Sequence, residues 1–411
     1  MKKVKLINVI VLILITGALS QAQSVSQWRG LNRNGIYEEK QLQKSWPTTG
    51  PAMLWLFEGL GNGYGSPTIT QDKVFVNGEI DSISHLFAFS LKGELLWKSP
   101  YGKEFMGSGY SSNFPGCRST PTVVNDLVYV FSGLGTVACF EAETGKQKWI
   151  VDMTMDYKGV SNTFGYSESL IIDGNTLFCT PGGPEANVVA LDRFTGKPIW
   201  VSKASGDNVS YCSPMIITLP TRKVLVTFSI NYIMGLDAKT GELLWSQKQE
   251  NVKYKQQCNT PVFSDGFIYY VAGDGNGTVK LELSPDGKSI KEVWRNNQTK
   301  NMFNGFVKIN DYLFIPDITQ KLKCVDIKTG QVVDSLRVNK GGFIFADHML
   351  YCYSDNGDVN LIQLTGTKME IISKFKCDKG TKEHFAHPVI QNGVLYIRHG
   401  KALLTYDIKQ L

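Results

Sequence analysis

Short apolar segments recur along the chain from residue 51 to the C-terminus, and turn-forming residues separate them. In TPTVVNDLVYV (120–130) the pair Asn125-Asp126 stands between two apolar segments, and in ESLIIDGNTLF (168–178) the pair Asp173-Gly174 does. Asn, Asp and Gly tolerate the backbone angles that a tight hairpin requires. Each of these stretches therefore predicts two antiparallel strands joined by a short turn.

A second phrase follows each hairpin and predicts two further strands. In its clear copies an apolar segment leads to a turn glycine and then to a tryptophan: FSLKGELLW (89–97), FEAETGKQKW (140–149), LDRFTGKPIW (191–200) and LDAKTGELLW (236–245). Weaker copies are LELSPDGKSIKEVW (281–294) and VDIKTGQVVDSL (325–336). The tryptophans at 97, 149, 200, 245 and 294 follow one another at the length of a four-stranded propeller blade. Each unit therefore predicts four antiparallel strands, A to D, with the tryptophan on strand D.

Counting the A–B hairpins gives eight units, because three degenerate ones follow at 306–327, 343–364 and 387–408. The last unit ends after its strand C. A lone D-type strand with Trp55, PAMLWLFEG (51–59), precedes the first unit. A strand from the N-terminal side that completes the last blade removes the open edges of the array. The sequence thus predicts an all-β, eight-bladed β-propeller over 51–411, closed by an N-terminal strand.

The first 22 residues predict a signal peptide. Lys2, Lys3 and Lys5 precede an apolar segment at 6–19 and the small-residue exit Ser20-Gln21-Ala22. That segment is shorter than the roughly 20 residues of a membrane-spanning helix, so an uncleaved anchor is the lesser alternative. The first cysteine is Cys117, which leaves no thiol for a lipid near the cleavage site. We expect a periplasmic or secreted protein without a transmembrane segment.

Residues 23–50 show no strand alternation. We expect an extended segment across the propeller surface, pinned by Trp28 and Trp46, with a disordered tail as the alternative.

Charge and cysteine content exclude some classes of protein. The formal net charge of +6 falls to +3 when the three lysines of residues 1–22 are removed, and the chain lacks the basic patch of a nucleic-acid-binding protein. The eight cysteines are dispersed, which favours packing inside blades over disulfides. We expect a monomer that binds no nucleic acid.

The repeated motif, the closing strand and the phrase WRGLNRNG (28–35) carry a family resemblance. Further matches are CRSTPTVVNDLVYV (117–130), FGYSESLIIDGNTLFCTPGG (164–183) and HFAHPVIQNGVLYIRHG (384–400). With these features the chain resembles exported bacterial PQQ-like (quinoprotein-like) propellers. That family includes quinoprotein alcohol dehydrogenases and the propeller lipoprotein of the outer-membrane assembly machinery.

For the dehydrogenases, the resemblance implies PQQ on the axis, a calcium ion and a disulfide of adjacent cysteines. This chain has no adjacent cysteines and no evident carboxylate cluster. DGNGT (274–278) and DNGD (355–358) resemble calcium-binding fragments, but they fall where B–C turns are expected. EHFAH (383–387) fits a polar loop better than a zinc site. We therefore predict no metal and no cofactor; PQQ with calcium belongs only to the alternative of a PQQ-dependent dehydrogenase.

The D–A loops of a propeller open on one face around the axis, so their residues form a single ring. These loops are rich in Tyr, Asn, Ser and Gly, which suits a protein or small polar ligand. The predicted ligand-binding residues are Tyr64, Tyr110, Arg118, Tyr166, Glu168, Asn208, Tyr211, Asn259, Asn304, His384 and His387.

Two alternatives remain open among these residues. Arg118 could hold a carboxylate through two-point contact, or it could be a structural arginine that binds loop carbonyls or Glu168. Tyr64, Tyr166 and Tyr211 precede strand A at matching positions, which fits either ligand contact or packing between blades.

The favoured hypothesis is an exported, non-catalytic binding scaffold. The alternatives are a PQQ-dependent alcohol dehydrogenase and an outer-membrane assembly component; the second is weakened by the missing lipid-bearing cysteine.

Overall fold

The repeated hairpins fold into eight antiparallel sheets in the computed structural model, which describes residues 24–249, 256–273 and 275–410. The signal peptide predicted at 1–22 lies outside these residues. Three strands precede the first blade: β1 (Val25–Ser26), β2 (Ile36–Tyr37) and β3 (Met53–Phe57).

The first four blades each contain four consecutive strands. Blade 1 consists of β4 (Thr68–Ile69), β5 (Lys73–Ile80), β6 (Ile83–Ser90) and β7 (Leu95–Lys103). Blade 2 consists of β8 (Thr122–Val124), β9 (Leu127–Phe131), β10 (Thr136–Glu141) and β11 (Gln147–Asp152). Blade 3 consists of β12 (Ile171–Asp173), β13 (Thr176–Cys179), β14 (Val188–Asp192) and β15 (Pro198–Ser202). Blade 4 consists of β16 (Met215–Thr218), β17 (Lys223–Phe228), β18 (Tyr232–Asp237) and β19 (Leu243–Lys248).

The remaining blades include the degenerate units. Blade 5 consists of β20 (Val262–Ser264), β21 (Phe267–Ala272), β22 (Gly277–Leu283) and β23 (Ile290–Asn296). Blade 6 consists of β24 (Val307–Ile309), β25 (Tyr312–Asp317), β26 (Lys321–Asp326) and β27 (Val332–Arg337). Blade 7 consists of β28 (Gly341–Ala346), β29 (Met349–Ser354), β30 (Asp358–Thr365) and β31 (Lys368–Lys376). Blade 8 adds β32 (Val389–Gln391), β33 (Val394–His399) and β34 (Ala402–Asp407). A 3₁₀ helix (Gly109–Asn113) lies in the loop between blades 1 and 2.

The ring closes as predicted, because β3 supplies the outer strand of blade 8. It pairs antiparallel with β34, where Trp55 lies opposite Thr405. The backbone N–H of Trp55 donates to Thr405 Oγ1 at 3.1 Å, and the N–H of Asp407 donates to the carbonyl of Ala52 at 2.8 Å. The prediction of an all-β, eight-bladed propeller is therefore confirmed.

The tryptophan of one blade packs against the turn glycine of the next. Trp97 Nε1 donates to the Ala142 carbonyl at 3.2 Å, and a Cβ atom added to Gly145 would lie 2.5 Å from the Trp97 ring. Trp55 meets Gly93 in the same way. The glycine and the tryptophan of the repeated motif are thus partners across the boundary between blades. Equivalent pairs are Trp149 with Gly196, Trp200 with Gly241 and Trp294 with Gly330.

The segment before β3 crosses the centre of the ring. β1 pairs antiparallel with β8, the strand A of blade 2, whereas β2 pairs parallel with β28, the strand A of blade 7. The segment then runs outward to Trp46, which packs against Tyr351 and Phe375 at ring-centroid distances of 5.9 and 5.4 Å. The sequence analysis did not anticipate the two short strands.

Among the described residues, no helix has the length and apolar character needed to cross a membrane.

The contact between glycine and tryptophan predicts a position-specific cost for one methyl group. Gly145→Ala combines a φ of +69° with an overlap of the Trp97 ring, and we expect it to lower the free energy of unfolding by about 2–3 kcal/mol. Gly266→Ala is the matched control, because its φ is +82° but nothing lies within 4 Å of the added atom. It should cost about 1 kcal/mol. Urea denaturation measures both, and equal losses would contradict the packing argument.

Candidate functional site

Hydroxyl side chains connect the inner ends of five neighbouring blades. Ser66, Thr120, Ser169, Ser213 and Thr260 each stand two residues before a strand A. The N–H of Ser66 donates to Thr120 Oγ1 at 3.1 Å, and that of Thr120 donates to Ser169 Oγ at 3.0 Å. The N–H of Ser169 donates to Ser213 Oγ at 2.9 Å, and Thr260 Oγ1 donates to the Ser213 carbonyl at 2.6 Å. We call this set the hydroxyl ring.

The hydroxyl ring is interrupted in blades 6, 7 and 8. Aligned on the last residue of strand A, the equivalent positions there are Gly305, Gly342, which lies inside β28, and His387. The side chain of Arg29, from the segment that crosses the axis, occupies this gap. A Cβ atom at Gly305 would overlap the Arg29 guanidinium, so the glycine is required for the arginine to enter.

Where the hydroxyl groups are missing, Arg29 links the blades in a different way, by donating to their carbonyls and to the His387 ring. Its Nη2 donates to the Phe306 carbonyl at 2.6 Å, and its Nη1 donates to the Phe343 carbonyl and to His387 Nδ1, both at 2.9 Å. The side chain thereby bonds blades 6, 7 and 8 together. Burial lowers the pKa of Arg29 to about 10, which leaves it charged at neutral pH.

Arg33 makes a similar attachment on the opposite side of the axis. Its guanidinium donates to the carbonyls of Ser169 and Leu170 at 2.5 and 3.0 Å and to Gln27 Oε1 at 2.9 Å. Burial lowers its pKa to about 10 as well. The indole of Trp28 lies near both arginines, 5.5 Å from the Arg29 guanidinium carbon and 6.0 Å from that of Arg33.

Above this segment lies a cavity of about 850 Å³ on the D–A loop face. Its floor is formed by one residue of the crossing segment and four residues at hydroxyl-ring positions: Trp28, Ser66, Ser169, Ser213 and His387. Its sides contain seven rings, which we call the aromatic wall: Tyr64, Tyr110, Phe114, Phe164, Tyr211, Phe303 and Phe385. The other lining residues are Gly65, Arg118, Asn162, Thr163, Ser167, Gln256, Cys258 and Met302.

The rings of the aromatic wall pack against one another. Phe114 lies 5.9 Å from Phe164 and 6.2 Å from Phe385, measured between ring centroids. Phe385 continues to Phe303 at 5.0 Å, and Phe164 continues to Tyr211 at 6.1 Å. These loops come from different blades, so the wall is a tertiary feature that bridges them. The rings give a ligand a large apolar contact area at small entropic cost.

Arg118 is held at the edge of the cavity by two loop carbonyls and two rings. Its Nη1 donates to the Gly116 carbonyl at 2.8 Å and its Nη2 donates to the Phe114 carbonyl. Its guanidinium carbon lies 4.8 Å from the Phe105 ring centroid and 5.6 Å from that of Tyr64. The loop carbonyls of the structural alternative are thus present as partners, and burial lowers the pKa of Arg118.

The structure brings five of the predicted ligand-binding residues together at the cavity. They are Tyr64, Tyr110, Arg118, Tyr211 and His387. Tyr110 is 73% exposed at the mouth, whereas Tyr211 is buried and accepts the N–H of Phe164 at 3.1 Å. Burial and the adjacent Arg29 hold the pKa of His387 well below its usual range, so this ring is neutral.

The other predicted residues do not line the cavity, and for four of them partners outside it hold the side chain. Tyr166 donates to the Pro181 carbonyl at 2.8 Å, and Glu168 accepts from Thr180. Asn259 accepts the N–H of Gly305 at 2.9 Å. Of the remaining three, His384 contacts the Tyr353 hydroxyl at 2.5 Å through its ring, whereas Asn304 and Asn208 use their backbone N–H groups, which donate to Asn301 Oδ1 and to Asp207 Oδ1, both at 3.0 Å.

Sequence reasoning missed Trp28, Met302 and four phenylalanines of the aromatic wall. Each phenylalanine stands among mostly polar or small residues of a D–A loop, with Met302 beside Phe303: SNFPG, SNTFG, NMFNG and EHFAH. An apolar ring in a loop that is otherwise polar was the available signal, because such a ring must pack against something or contact a partner.

The side chains around the cavity do not fit a quinone held by calcium. Calcium requires six to eight oxygen ligands, with carboxylates prominent among them. No Asp or Glu occurs among the described residues that line the cavity. Across the part of the chain that the structure describes, no group of three His, Cys, Asp or Glu side chains is arranged to hold a metal. The eight cysteines are free thiols, so no adjacent-cysteine disulfide covers the axis.

These features define the class of protein: a PQQ-like eight-bladed β-propeller with a loop-built cavity over a closed axis. The family model described as outer membrane protein assembly factor BamB matches residues 82–335. The chain belongs to this family.

Individual relatives agree with this assignment. Outer membrane protein assembly factor BamB of Shewanella oneidensis is 21% identical over 309 residues, which cover 72% of this chain and 70% of the relative. Quinoprotein alcohol dehydrogenase PedH of Pseudomonas putida is 28% identical over only 138 residues, 32% of this chain and 22% of the enzyme. The crystal structure of BamB from Moraxella catarrhalis superposes with a TM-score of 0.62 at 12% identity, covering 87% of this chain and 99% of that one, and supports the fold.

Glu168 gives the site a pH dependence that can be measured. Burial raises its pKa to about 8 from a usual value of 4.5. Between these two pH values the unfolded chain releases the proton of this carboxyl and the folded chain keeps it. The contribution of the protonated Glu168 to the free energy of unfolding therefore decreases as the pH rises, and it is lost above about pH 8. Glu168→Gln removes this pH-dependent contribution, because the amide stays neutral at every pH.

We expect the variant to equal the parent chain near pH 4.5 and to exceed its free energy of unfolding by a few kcal/mol near pH 8, on the order expected for a buried carboxyl. Urea denaturation at several pH values measures the difference, with the exposed Glu185→Gln as control. A difference that is constant across this range would contradict a protonated Glu168.

Proposed function

We propose that the chain is an exported, monomeric, non-catalytic binding propeller that receives a partner protein on its D–A loop face. The observation that carries this proposal is the cavity of about 850 Å³, whose volume and aromatic lining are typical of binding sites. Family membership supports it, since the relatives that match over most of their length are named as assembly factors. The signal peptide predicted at 1–22 supports export.

Exposed apolar side chains extend the cavity onto the surrounding face. Tyr110 and Met155 are 73% and 78% exposed in the loops that follow blades 1 and 2. Met106 and Val160 lie in the same two loops, and Leu134 lies in the B–C turn of blade 2. All five belong to the D–A loop face of blades 1 and 2, an arc of the ring that includes the cavity-lining Tyr110. Exposed apolar residues next to a pocket mark interaction sites.

The outer strands also expose apolar side chains, but these recur from blade to blade. Leu95, Ile150, Ile199 and Leu243 occupy the strands D of blades 1 to 4. A feature shared by successive repeats belongs to the scaffold. The arc beside the cavity occurs in the first two D–A loops and one turn, which favours it as the partner-binding surface.

Site-specific photo-crosslinking in cells that export the chain tests the proposal. A benzoylphenylalanine at position 110 should form a discrete adduct with an envelope protein, because this residue stands at the cavity mouth. Position 194 is the matched control: Phe194 is 46% exposed but lies in a C–D turn on the opposite face.

The adduct should disappear when Met302→Glu introduces a charge into the cavity. Absence of an adduct from position 110, or equal adducts from both positions, would overturn the proposal.

A further inference from the structure

The charges around the cavity identify the chemistry of the group that enters it. Among the lining residues that the structure describes, Arg118 is the only Lys, Arg, Asp or Glu. The neutral His387 lies at the floor, and directly below it Arg29 donates to this ring at 2.9 Å. The guanidinium carbon of Arg33 lies 6.0 Å from the ring of Trp28, which also lines the cavity. Three guanidinium groups therefore lie at or next to a cavity in whose described lining no carboxylate occurs.

We infer that the cavity binds an apolar, aromatic group that carries a carboxylate, with its ring against the aromatic wall and its carboxylate on Arg118. The inference rests on the proposed function, because it names the ligand chemistry of the same cavity. Two sources present this chemistry: the C-terminal aromatic residue of a polypeptide and a free aryl acid.

The aromatic wall determines the body of the ligand. Its rings line a space of about 850 Å³, within the range of roughly 300–1,000 Å³ that holds drug-sized molecules or a few residues of peptide. Aromatic cages elsewhere bind cations through their ring faces. Here the guanidinium of Arg118 already lies over Tyr64 at 5.6 Å, so a second cation would be repelled.

Arg118 is positioned to bind an anion. The carbonyls of Gly116 and Phe114 accept two of the five N–H donors of its guanidinium and fix its plane. An arginine that is held in place in advance loses little rotamer entropy when it binds a carboxylate. At a partly buried site, charge-assisted hydrogen bonds of this kind are about twice as strong as neutral ones.

The nearest acidic side chains do not cancel this attraction. Glu383 accepts from the Tyr64 hydroxyl at 3.1 Å and lies outside the lining. Glu104 is buried among Ser84, Cys117 and two backbone N–H groups, and burial raises the pKa of its carboxyl. Neither carboxylate occupies the position that the ligand would take.

Calorimetric titration of the chain lacking residues 1–22 tests the inference with matched probes. The peptide acetyl-Ala-Phe-Phe is used as the free acid and as the C-terminal amide, and 3-phenylpropionate is compared with 3-phenylpropanol. We expect each acid to bind about tenfold or more tightly than its neutral partner, since one charge-assisted contact is worth at least a factor of ten. Tighter binding of the peptide acid identifies a polypeptide C-terminus, and tighter binding of phenylpropionate identifies a free aryl acid.

Variants of the chain distinguish the contribution of the Arg118 charge to binding from that of the aromatic wall. Arg118→Gln should abolish the preference for the acid, Arg118→Lys should keep part of it, and the exposed Arg337→Gln should leave it unchanged. Tyr110→Ser should weaken acid and amide alike, because it removes one ring from the wall. Thermal midpoints establish whether each variant is folded. If Arg118→Gln is not folded, Arg118→Lys provides the test of the charge.

Equal binding of acid and amide, or an acid preference that survives Arg118→Gln, would overturn the carboxylate inference. If both forms bind equally and Tyr110→Ser weakens both, the cavity remains a binding site and the proposed function stands. If no probe binds the parent chain, the inference fails, and the crosslinking result alone decides the proposed function.

Discussion

Hydrogen bonds between the inner ends of neighbouring blades hold this ring, and Arg29 supplies them where the repeat lacks a hydroxyl. Five blades carry Ser or Thr at the equivalent position, whereas blades 6 and 7 carry Gly305 and Gly342 and blade 8 carries His387. Without a donor, the buried carbonyls at this level would be unsatisfied, at a cost of about 1–3 kcal/mol each. The arginine satisfies them from a segment outside the repeat. The N-terminal segment is therefore part of the propeller.

The same segment crosses the axis of the ring and gives the cavity its floor. It crosses the axis from blade 2 to blade 7, and Trp28 forms part of the cavity floor. The D–A loops above it then enclose a space that ends at a fixed, positively charged base. The D–A loops can vary without loss of blade stability, because two sets of contacts lie outside them. These are the glycine–tryptophan contacts between blades and the hydroxyl ring. This arrangement places binding chemistry on a scaffold whose stability does not depend on it.

The sequence predicted the fold well and the site in part, for physical reasons. Strand periodicity and the turn glycine are local signals, so the blades and the closure at Trp55 followed from them. The site depends on how loops fold back over the axis. Asn259 and Glu168 looked like ligand contacts because they are polar loop residues, yet backbone and side-chain partners hold them within the blades. The role of Phe385 depends on rings from other loops, Phe114 and Phe303, which meet it only after the loops fold over the axis.

Hydrogen exchange of the Arg29→Met variant, followed by mass spectrometry, tests whether this arginine holds the inner ends of three blades together. The substitution keeps an unbranched apolar stem and removes the guanidinium donors. The account predicts faster exchange of the backbone amides in strands A of blades 6, 7 and 8, with little change in blades 1, 4 and 5. Unchanged exchange, or a uniform increase around the ring, would contradict the claim that Arg29 completes the inner ring of hydrogen bonds.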